Sequence, residues 1–260
     1  GDDLTVSADG PFTFSTPLDD ESVYAVTVLT NPSTPNQVCN VNQGSGQIAG
    51  GDVDTVDVVC VTDVHTVGGA VTGLANSNNV TLSINGGDEY LVVDNNSSFD
   101  FINALEDGSA YAVTVFNDPT SPNQTCTVTN GSGSLMGLDV NDVTVDCEIN
   151  QYFIGGYVND LIPDNYMLIQ NNGSDNLVIT DDGAFAFAAP VDDEQSYEVT
   201  IQTQPNNPSQ PCEVINADGN LSGNDIDNVL ITCEFGDDLI YHHGFDTPDG
   251  ISRELWEPEE

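Results

Sequence analysis

The chain has 260 residues, of which 43 are acidic and one, Arg253, is basic, so its formal net charge at pH 7 is −42. Such a field repels nucleic-acid phosphates and anionic membrane surfaces, and neither nucleic-acid binding nor membrane insertion is expected. The apolar fraction is 38%, but 10 Phe, 8 Tyr and regularly spaced apolar positions predict a folded chain rather than a disordered one.

Three copies of one unit follow one another along the chain. The cysteines form three pairs separated by 21 positions, and the pairs recur after 87 and then 86 positions: Cys39 with Cys60, Cys126 with Cys147, and Cys212 with Cys233. The segment Tyr24-Ala-Val-Thr-Val28 recurs from Tyr111 and, in a related form, from Tyr197. The predicted divisions are repeat 1 (1–62), repeat 2 (63–148), repeat 3 (149–235) and an acidic tail (236–260).

Repeat 1 starts part-way through the unit. Repeat 2 opens with Val67-Gly-Gly and repeat 3 with Ile154-Gly-Gly, whereas Gly1 is equivalent to Asp88. Repeat 1 therefore lacks the counterparts of residues 67–87, which carry two predicted strands. Either another chain completes this repeat, or the sequence is a fragment or trimmed piece of a longer array.

Each unit has the pattern of a β-sandwich. Short runs of alternating apolar and polar residues, separated by Gly, Asn, Asp and Pro, are typical of antiparallel strands with one face in water. In repeat 2 seven strands are predicted near residues 67–73, 79–84, 89–94, 98–103, 110–116, 124–129 and 142–148. We therefore expect an all-β protein of three tandem Ig-like antiparallel β-sandwich repeats, the first lacking about two strands.

The cysteine spacing predicts one disulfide in each repeat. Cys126 and Cys147 fall on the core face of neighbouring strands, and an even count without a CxxC motif favours disulfides over zinc. A disulfide closing a loop of this size contributes about 3 kcal/mol in the chain-entropy model. Since disulfides persist outside the cytoplasm, the predicted location is extracellular.

The tail contains a candidate for subunit contact. Residues 236–260 number 25, similar to the number that repeat 1 lacks, and Leu239, Ile240, Tyr241 and Phe245 lie in a segment that could be extended. The hypothesis is that this strand completes repeat 1 of the next copy. A head-to-tail contact of this kind does not close on itself and generates a filament.

No catalytic motif is present, and we expect no enzyme activity. No cofactor is expected, except that calcium is a candidate because its ligands are hard oxygens. Asp52, Asp139 and Asp225 are acidic at one equivalent position of the three copies; the alternative is a solvated loop. The proline loops before each first cysteine are candidate adhesive tips, or else rigid turns that lead into the disulfide strand.

The segments Val67-Gly-Gly-Ala-Val-Thr-Gly-Leu74, Val80-Thr-Leu-Ser-Ile84 and Tyr111-Ala-Val-Thr-Val115 resemble the prealbumin-like sandwich repeat of collagen-binding B-type and carboxypeptidase-regulatory-like domains. The cysteine pair and the Asn130-Gly-Ser-Gly133 segment resemble, more narrowly, tandem repeats of secreted or surface proteins of Gram-negative bacteria. The resemblance implies the fold and little about function. Many B-type domains carry a Lys–Asn isopeptide bond, which a chain without lysine cannot form.

These observations favour a non-catalytic extracellular structural protein, a homopolymeric subunit of a bacterial surface filament or stalk assembled head-to-tail by strand completion. One alternative is an adhesin that recognises a glycan or host protein through the sandwich loops. The other is the stalk region of a larger secreted protein.

Overall fold

The computed structural model describes residues 1–234, which form 24 strands. Two compact units can be distinguished. The first comprises Gly1–Pro119 with Cys126–Glu148, and the second comprises Thr120–Thr125 with the chain from Ile149 onward. Over the described range no helix is long and apolar enough to cross a membrane. Residues 235–260, including the predicted contact residues Leu239, Ile240, Tyr241 and Phe245, lie outside the described residues.

Repeat 1 contains four strands in two separate ladders. They are β1 (Val23–Ala25), β2 (Gln37–Asn42), β3 (Ser45–Gln47) and β4 (Asp57–Thr62). Strand β1 pairs with β3, and β2 pairs with β4 in a register that sets Cys39 opposite Cys60. No residue of 1–62 is buried. Within the first unit, therefore, the buried core belongs to repeat 2.

Repeat 2 is a complete two-sheet sandwich. Its strands are β5 (Val64–His65), β6 (Val67–Thr72), β7 (Val80–Ile84), β8 (Glu89–Val93), β9 (Ser98–Asp100), β10 (Leu105–Glu106), β11 (Ala110–Asn117), β12 (Gln124–Thr129), β13 (Ser132–Ser134) and β14 (Val140–Ile149). The sheets have the orders β13-β11-β7-β8 and β12-β14-β6-β9, and β5 pairs separately with β10. Alternate residues of these strands, including Val80, Leu82 and Val145, form the core.

Repeat 3 has the same architecture. Its strands are β15 (Gln151–Tyr152), β16 (Ile154–Asn159), β17 (Met167–Asn171), β18 (Asp175–Ile179), β19 (Gly183–Ala186), β20 (Val191–Asp192), β21 (Ser196–Thr203), β22 (Cys212–Ile215), β23 (Asp218–Asn220) and β24 (Ile226–Cys233). The sheets are β18-β17-β21-β23 and β19-β16-β24-β22, with β15 paired to β20. The second unit thus has its own core around Met167, Ile169 and Ile231.

The fold-class prediction is confirmed. The structure is all-β, the seven strands predicted for repeat 2 are present, and each repeat holds one disulfide between its own cysteines. One detail differs from an all-antiparallel sandwich: β6 pairs parallel with β14, and β16 pairs parallel with β24. These are the first and last long strands of a repeat, so no hairpin fixes their relative direction.

Glycine makes this parallel pairing possible. Gly69 faces Val143 across the pair, and a Cβ atom at Gly69 would lie 1.8 Å from the carbonyl oxygen of Val143. Likewise, a Cβ atom at Gly156 would lie 1.7 Å from the carbonyl oxygen of Val229. The first strand of a complete repeat therefore needs glycine at this position for its backbone to reach the last strand.

Replacing this glycine is expected to destabilise the sandwich. Gly69→Ala should lower the free energy of unfolding of repeat 2 by about 3 kcal/mol, the upper part of the range for overpacking. The loss is large because the obstructing atom belongs to the backbone and cannot rotate away. Hydrogen exchange of the β6 and β14 amides, read by mass spectrometry, measures the loss. Gly51→Ala is the control, since a Cβ there meets nothing within 4 Å. Equal protection in the two variants would contradict the steric explanation.

Candidate interface sites

A buried carboxylate lies where the proline loop of repeat 1 meets repeat 2. Asp107, which is 7% exposed, follows β10. One of its carboxylate oxygens accepts the backbone N–H of Gly137 at 2.6 Å, and the other accepts the N–H of Asn36 at 2.6 Å. Asp107 thus joins a turn of its own repeat to a loop of the preceding one, through charge-assisted hydrogen bonds.

The second unit contains the same arrangement. Asp193, which is 2% exposed, follows β20. Its carboxylate accepts the N–H of Gly223 at 2.8 Å and the N–H of Asn123 at 2.7 Å. Asn123 belongs in sequence to repeat 2 and lies within the second unit. We call the aspartate and the glycine 30 residues later a loop-docking site.

Main-chain hydrogen bonds surround each loop-docking site. The carbonyl of Asn36 accepts the N–H of Asp63, whose own carbonyl accepts the N–H of Asp107, at 2.9 and 2.8 Å. In the second unit the carbonyl of Asn123 accepts the N–H of Asn150 at 2.9 Å, and the carbonyl of Asn150 accepts the N–H of Asp193 at 2.8 Å. The connector between repeats is therefore held between the loop and the site.

The proline loops are turns that are hydrogen-bonded to the disulfide strand that follows them. They comprise residues 31–36, 118–123 and 204–209, and each has a cis peptide bond before its second proline. The side chain of the first loop residue accepts the N–H of the following cysteine: Asn31 for Cys39, Asp118 for Cys126 and Gln204 for Cys212. Of the two alternatives left open for these loops, this favours the turn that leads into the disulfide strand.

Hydrogen bonding stabilises the ionised form of both aspartates. The N–H groups of Asn36 and Gly137 hold the pKa of Asp107 below its usual value, although burial opposes them. Burial raises the pKa of Asp193, but the N–H groups of Asn123 and Gly223 outweigh it and the pKa is lowered. Both sites are therefore formed by carboxylates rather than by protonated acids.

His65 adds a second ionisable group at the Asp107 site. Its Nε2 atom lies 3.7 Å from Asp107 and its Nδ1 atom lies 3.7 Å from Asp139. The side chain is 15% exposed. When protonated, the imidazole is attracted to both carboxylates. At the equivalent place in the second unit the residue is Tyr152, so this feature is confined to one site.

Repeat 1 has the same aspartate–glycine pair, but no proline loop is docked on it within the described residues. The N–H of Gly50 donates to the Asp20 carboxylate at 2.7 Å, and Gly50, Gly137 and Gly223 share φ values of 74°, 77° and 76°. Over residues 1–234 no N–H group is found on the second oxygen of Asp20. Asp20 is exposed where Asp107 and Asp193 are buried.

The calcium candidates occupy a different place. The Asp139 carboxylate accepts the N–H of Thr66 at 2.8 Å, and the Asp225 carboxylate accepts that of Phe153 at 2.8 Å. These bonds tie the start of each first strand to its own repeat. Asp52 is exposed. Within the described part of the chain no three His, Cys, Asp or Glu residues form a metal-binding group, and calcium at Asp52, Asp139 and Asp225 stays a prediction.

The loop-docking sites were missed from the sequence. The signal was present: Asp20, Asp107 and Asp193 recur at the repeat spacing, as do Gly50, Gly137 and Gly223. In a chain with 43 acidic residues a recurrent aspartate carries little weight. The partners Asn36 and Asp107 are 71 positions apart, so no local motif connects them.

No family model and no curated protein matches the chain. Among solved structures it is similar to the Bacillus anthracis TIE protein, at a TM-score of 0.42 and 10% identity over 76% of this chain. It is also similar to the shaft pilin SpaA of Lactobacillus rhamnosus GG, at a TM-score of 0.26 and 10% identity, over 67% of this chain and all of that one. The chain spans 41% of the TIE structure.

Removing a site carboxylate is expected to loosen the docked loop. In Asp193→Asn one N–H donor faces an amide NH₂ instead of an oxygen, which should cost about 2 kcal/mol, or roughly 30-fold faster local opening. Native-state hydrogen exchange at the amides of Asn123 and Gly223 measures this increase in local opening. Asp227→Asn makes the same charge change on an exposed residue and should leave both amides protected. Unchanged exchange in Asp193→Asn would show that the carboxylate does not hold the loop.

The docked loops are also expected to loosen in acid. Since the pKa values of Asp107 and Asp193 are lowered on folding, the stabilisation is complete above the unfolded value of about 3.9 and is lost as pH falls through the folded values. Carboxyl ¹³C titration by NMR should give midpoints below about 3.9 in the native chain and at that value in urea. Native midpoints at or above the urea value would contradict the hydrogen-bond assignment.

Proposed function

We propose that this chain is a non-catalytic structural subunit of an extracellular filament or stalk, in which copies assemble head-to-tail and a strand of one copy completes repeat 1 of the next. Three disulfides support an oxidising, extracytoplasmic location. Ligand recognition through the proline loops 31–36 and 118–123 is not proposed, because their N–H groups at Asn36 and Asn123 are bound to Asp107 and Asp193.

The open core face of repeat 1 carries the proposal. Val58 is 38% exposed, whereas its counterparts Val145 and Ile231 are each 0% exposed. Cys60 is likewise exposed, whereas Cys147 is 3% exposed. Residues equivalent to the core of repeats 2 and 3 are thus in contact with water in repeat 1, which is unfavourable for an apolar side chain such as Val58.

The geometry of the complete repeats defines what this face needs. Strand β14 lies between β12 and β6, and β24 lies between β22 and β16. In repeat 1, β4 has only its β2 neighbour among the described residues. An unpaired strand edge beside apolar side chains favours the addition of a strand. The missing strand would run parallel to β4, as β6 runs parallel to β14.

The proposed donor is the tail segment 239–245. A strand in the position of β6 needs glycine opposite the residue equivalent to Val143, which in repeat 1 is Val56. The segment contains Gly244, which supplies that glycine; in that register His242 would lie on the core face, and Tyr241 and Phe245 would lie on the outer face. Burial of the exposed Val58 side chain beneath the added strand, together with main-chain hydrogen bonds along the β4 edge, would contribute the free energy of association.

A pair of valines on β4 tests the proposal. Val58 is on the core face, and its neighbour Val59 is equivalent to the exposed Asp146 of repeat 2. Val58→Asp should abolish filaments because it places a charge on the open core face that the donor strand would cover. Val59→Asp adds the same charge on the outer face and should leave assembly intact. Electron microscopy and sedimentation velocity measure the outcome.

Two results would overturn the proposal. Filaments that persist in Val58→Asp would show that the open face is not the assembly site. A wild-type chain that stays monomeric at every concentration would exclude self-assembly. Intact mass of the protein from its native source provides a further check, since upstream residues that cover the open face would make the donor strand unnecessary.

A further inference from the structure

The exposed loop-docking site of repeat 1 is the feature that points furthest beyond strand completion. We infer that Asp20 and Gly50 bind the proline loop of repeat 3, residues 204–209, from a second copy of this chain. The inference rests on the proposed head-to-tail assembly and names a contact between copies that is separate from the donor strand. Ser209 would donate its backbone N–H to the second Asp20 oxygen.

The site of repeat 1 is already formed. The Gly50 N–H orients one Asp20 oxygen at 2.7 Å, which matches 2.6 Å at Gly137 and 2.8 Å at Gly223. A Cβ atom at Gly137 would lie 2.6 Å from the Asn36 amide nitrogen, and one at Gly223 would lie 2.9 Å from that of Asn123. At Gly50 nothing lies within 4 Å. The space that a loop side chain fills at the other two sites is therefore open.

The loop of repeat 3 has the shape of the two docked loops. An isolated bridge joins Asn206 to Ser209, as one joins Ser33 to Asn36 and Thr120 to Asn123. The Gln210 N–H donates to the Pro205 carbonyl at 3.0 Å, and the Gln37 N–H donates to that of Pro32 at 3.1 Å. Ser209 is exposed, whereas Asn36 and Asn123 are partly buried.

A second copy is the occupant that these observations favour. The same pair of elements, a proline loop and an aspartate–glycine site, is joined once in each unit. The remaining site and the remaining loop are both exposed, and the proposed head-to-tail order would bring the loop of one copy to the site of the next. Because the bond is between a carboxylate and a main-chain N–H, a serine in place of asparagine does not prevent it.

Two-dimensional NMR of the ¹⁵N-labelled 260-residue chain at increasing concentration tests the contact. The amides of Gly50 and Ser209 should shift together, and those of Gly137 and Gly223, whose sites are filled, should stay fixed. Asp20→Asn should weaken association about tenfold, the effect of losing one charge-assisted hydrogen bond. Asp19→Asn makes the same charge change beside the site and should have no effect.

Variants of the loop keep the test independent of repeat 1. Ser209→Pro removes the N–H donor and should weaken association like Asp20→Asn, with repeat 1 unaltered. Ser209→Asn restores the residue of the other two loops, which can fill the space beside Gly50, and should strengthen association about threefold or more. Backbone shifts of repeats 2 and 3 verify that each variant is folded.

The outcomes separate this contact from the proposed filament. Filaments that form equally well in Asp20→Asn and Ser209→Pro overturn the contact and leave the filament standing. Paired shifts at Gly50 and Ser209 without filaments support the contact and overturn the filament. Absence of both shifts and oligomers overturns both. A shift at Gly50 that Ser209→Pro does not abolish also overturns the contact, since another group then occupies the site.

Discussion

Each complete repeat depends on the parallel pairing of its first and last long strands. In this pairing β6 lies between β14 and β9, and β16 lies between β24 and β19. The backbones approach so closely that Gly69 and Gly156 have no room for a side chain. Where this strand is present, valine and isoleucine residues of the last strand are buried; where it is absent, as in residues 1–62, the same face is exposed. The buried face of the last strand is thus found in the two repeats that have this parallel partner.

The composition explains how the buried carboxylates are satisfied. With no lysine and one arginine, a buried aspartate has almost no cationic side chain to pair with, and an unpaired buried carboxylate is costly. Asp107 and Asp193 instead accept two backbone N–H groups each. Backbone donors do not depend on side-chain identity, so the arrangement can recur in repeats whose loops differ in sequence.

Much of the fold could be predicted because its signals are local or periodic. Alternation within β11 and the constant cysteine spacing are visible over a few residues or at one fixed interval. Parallel pairing could not be predicted in this way, since Val67 and Val140 are partners without a connecting hairpin. The docking sites lacked a local signal for the same reason. Asp139 and Asp225 recur visibly in the sequence, but their carboxylates accept connector N–H groups, a role that recurrence alone does not indicate.

The net charge constrains how copies of this chain can associate. Two molecules of charge −42 repel each other, and screening at physiological ionic strength reduces this repulsion beyond about 8 Å without removing it at contact. Apolar burial against the exposed face of β4 would be a source of free energy that does not require opposite charges. A carboxylate that accepts a backbone N–H would add direction to the proposed contact, since it would fix which loop meets which turn. In the proposed assembly, apolar burial on repeat 1 would supply strength and the docking site would supply orientation, and an acidic chain would need both.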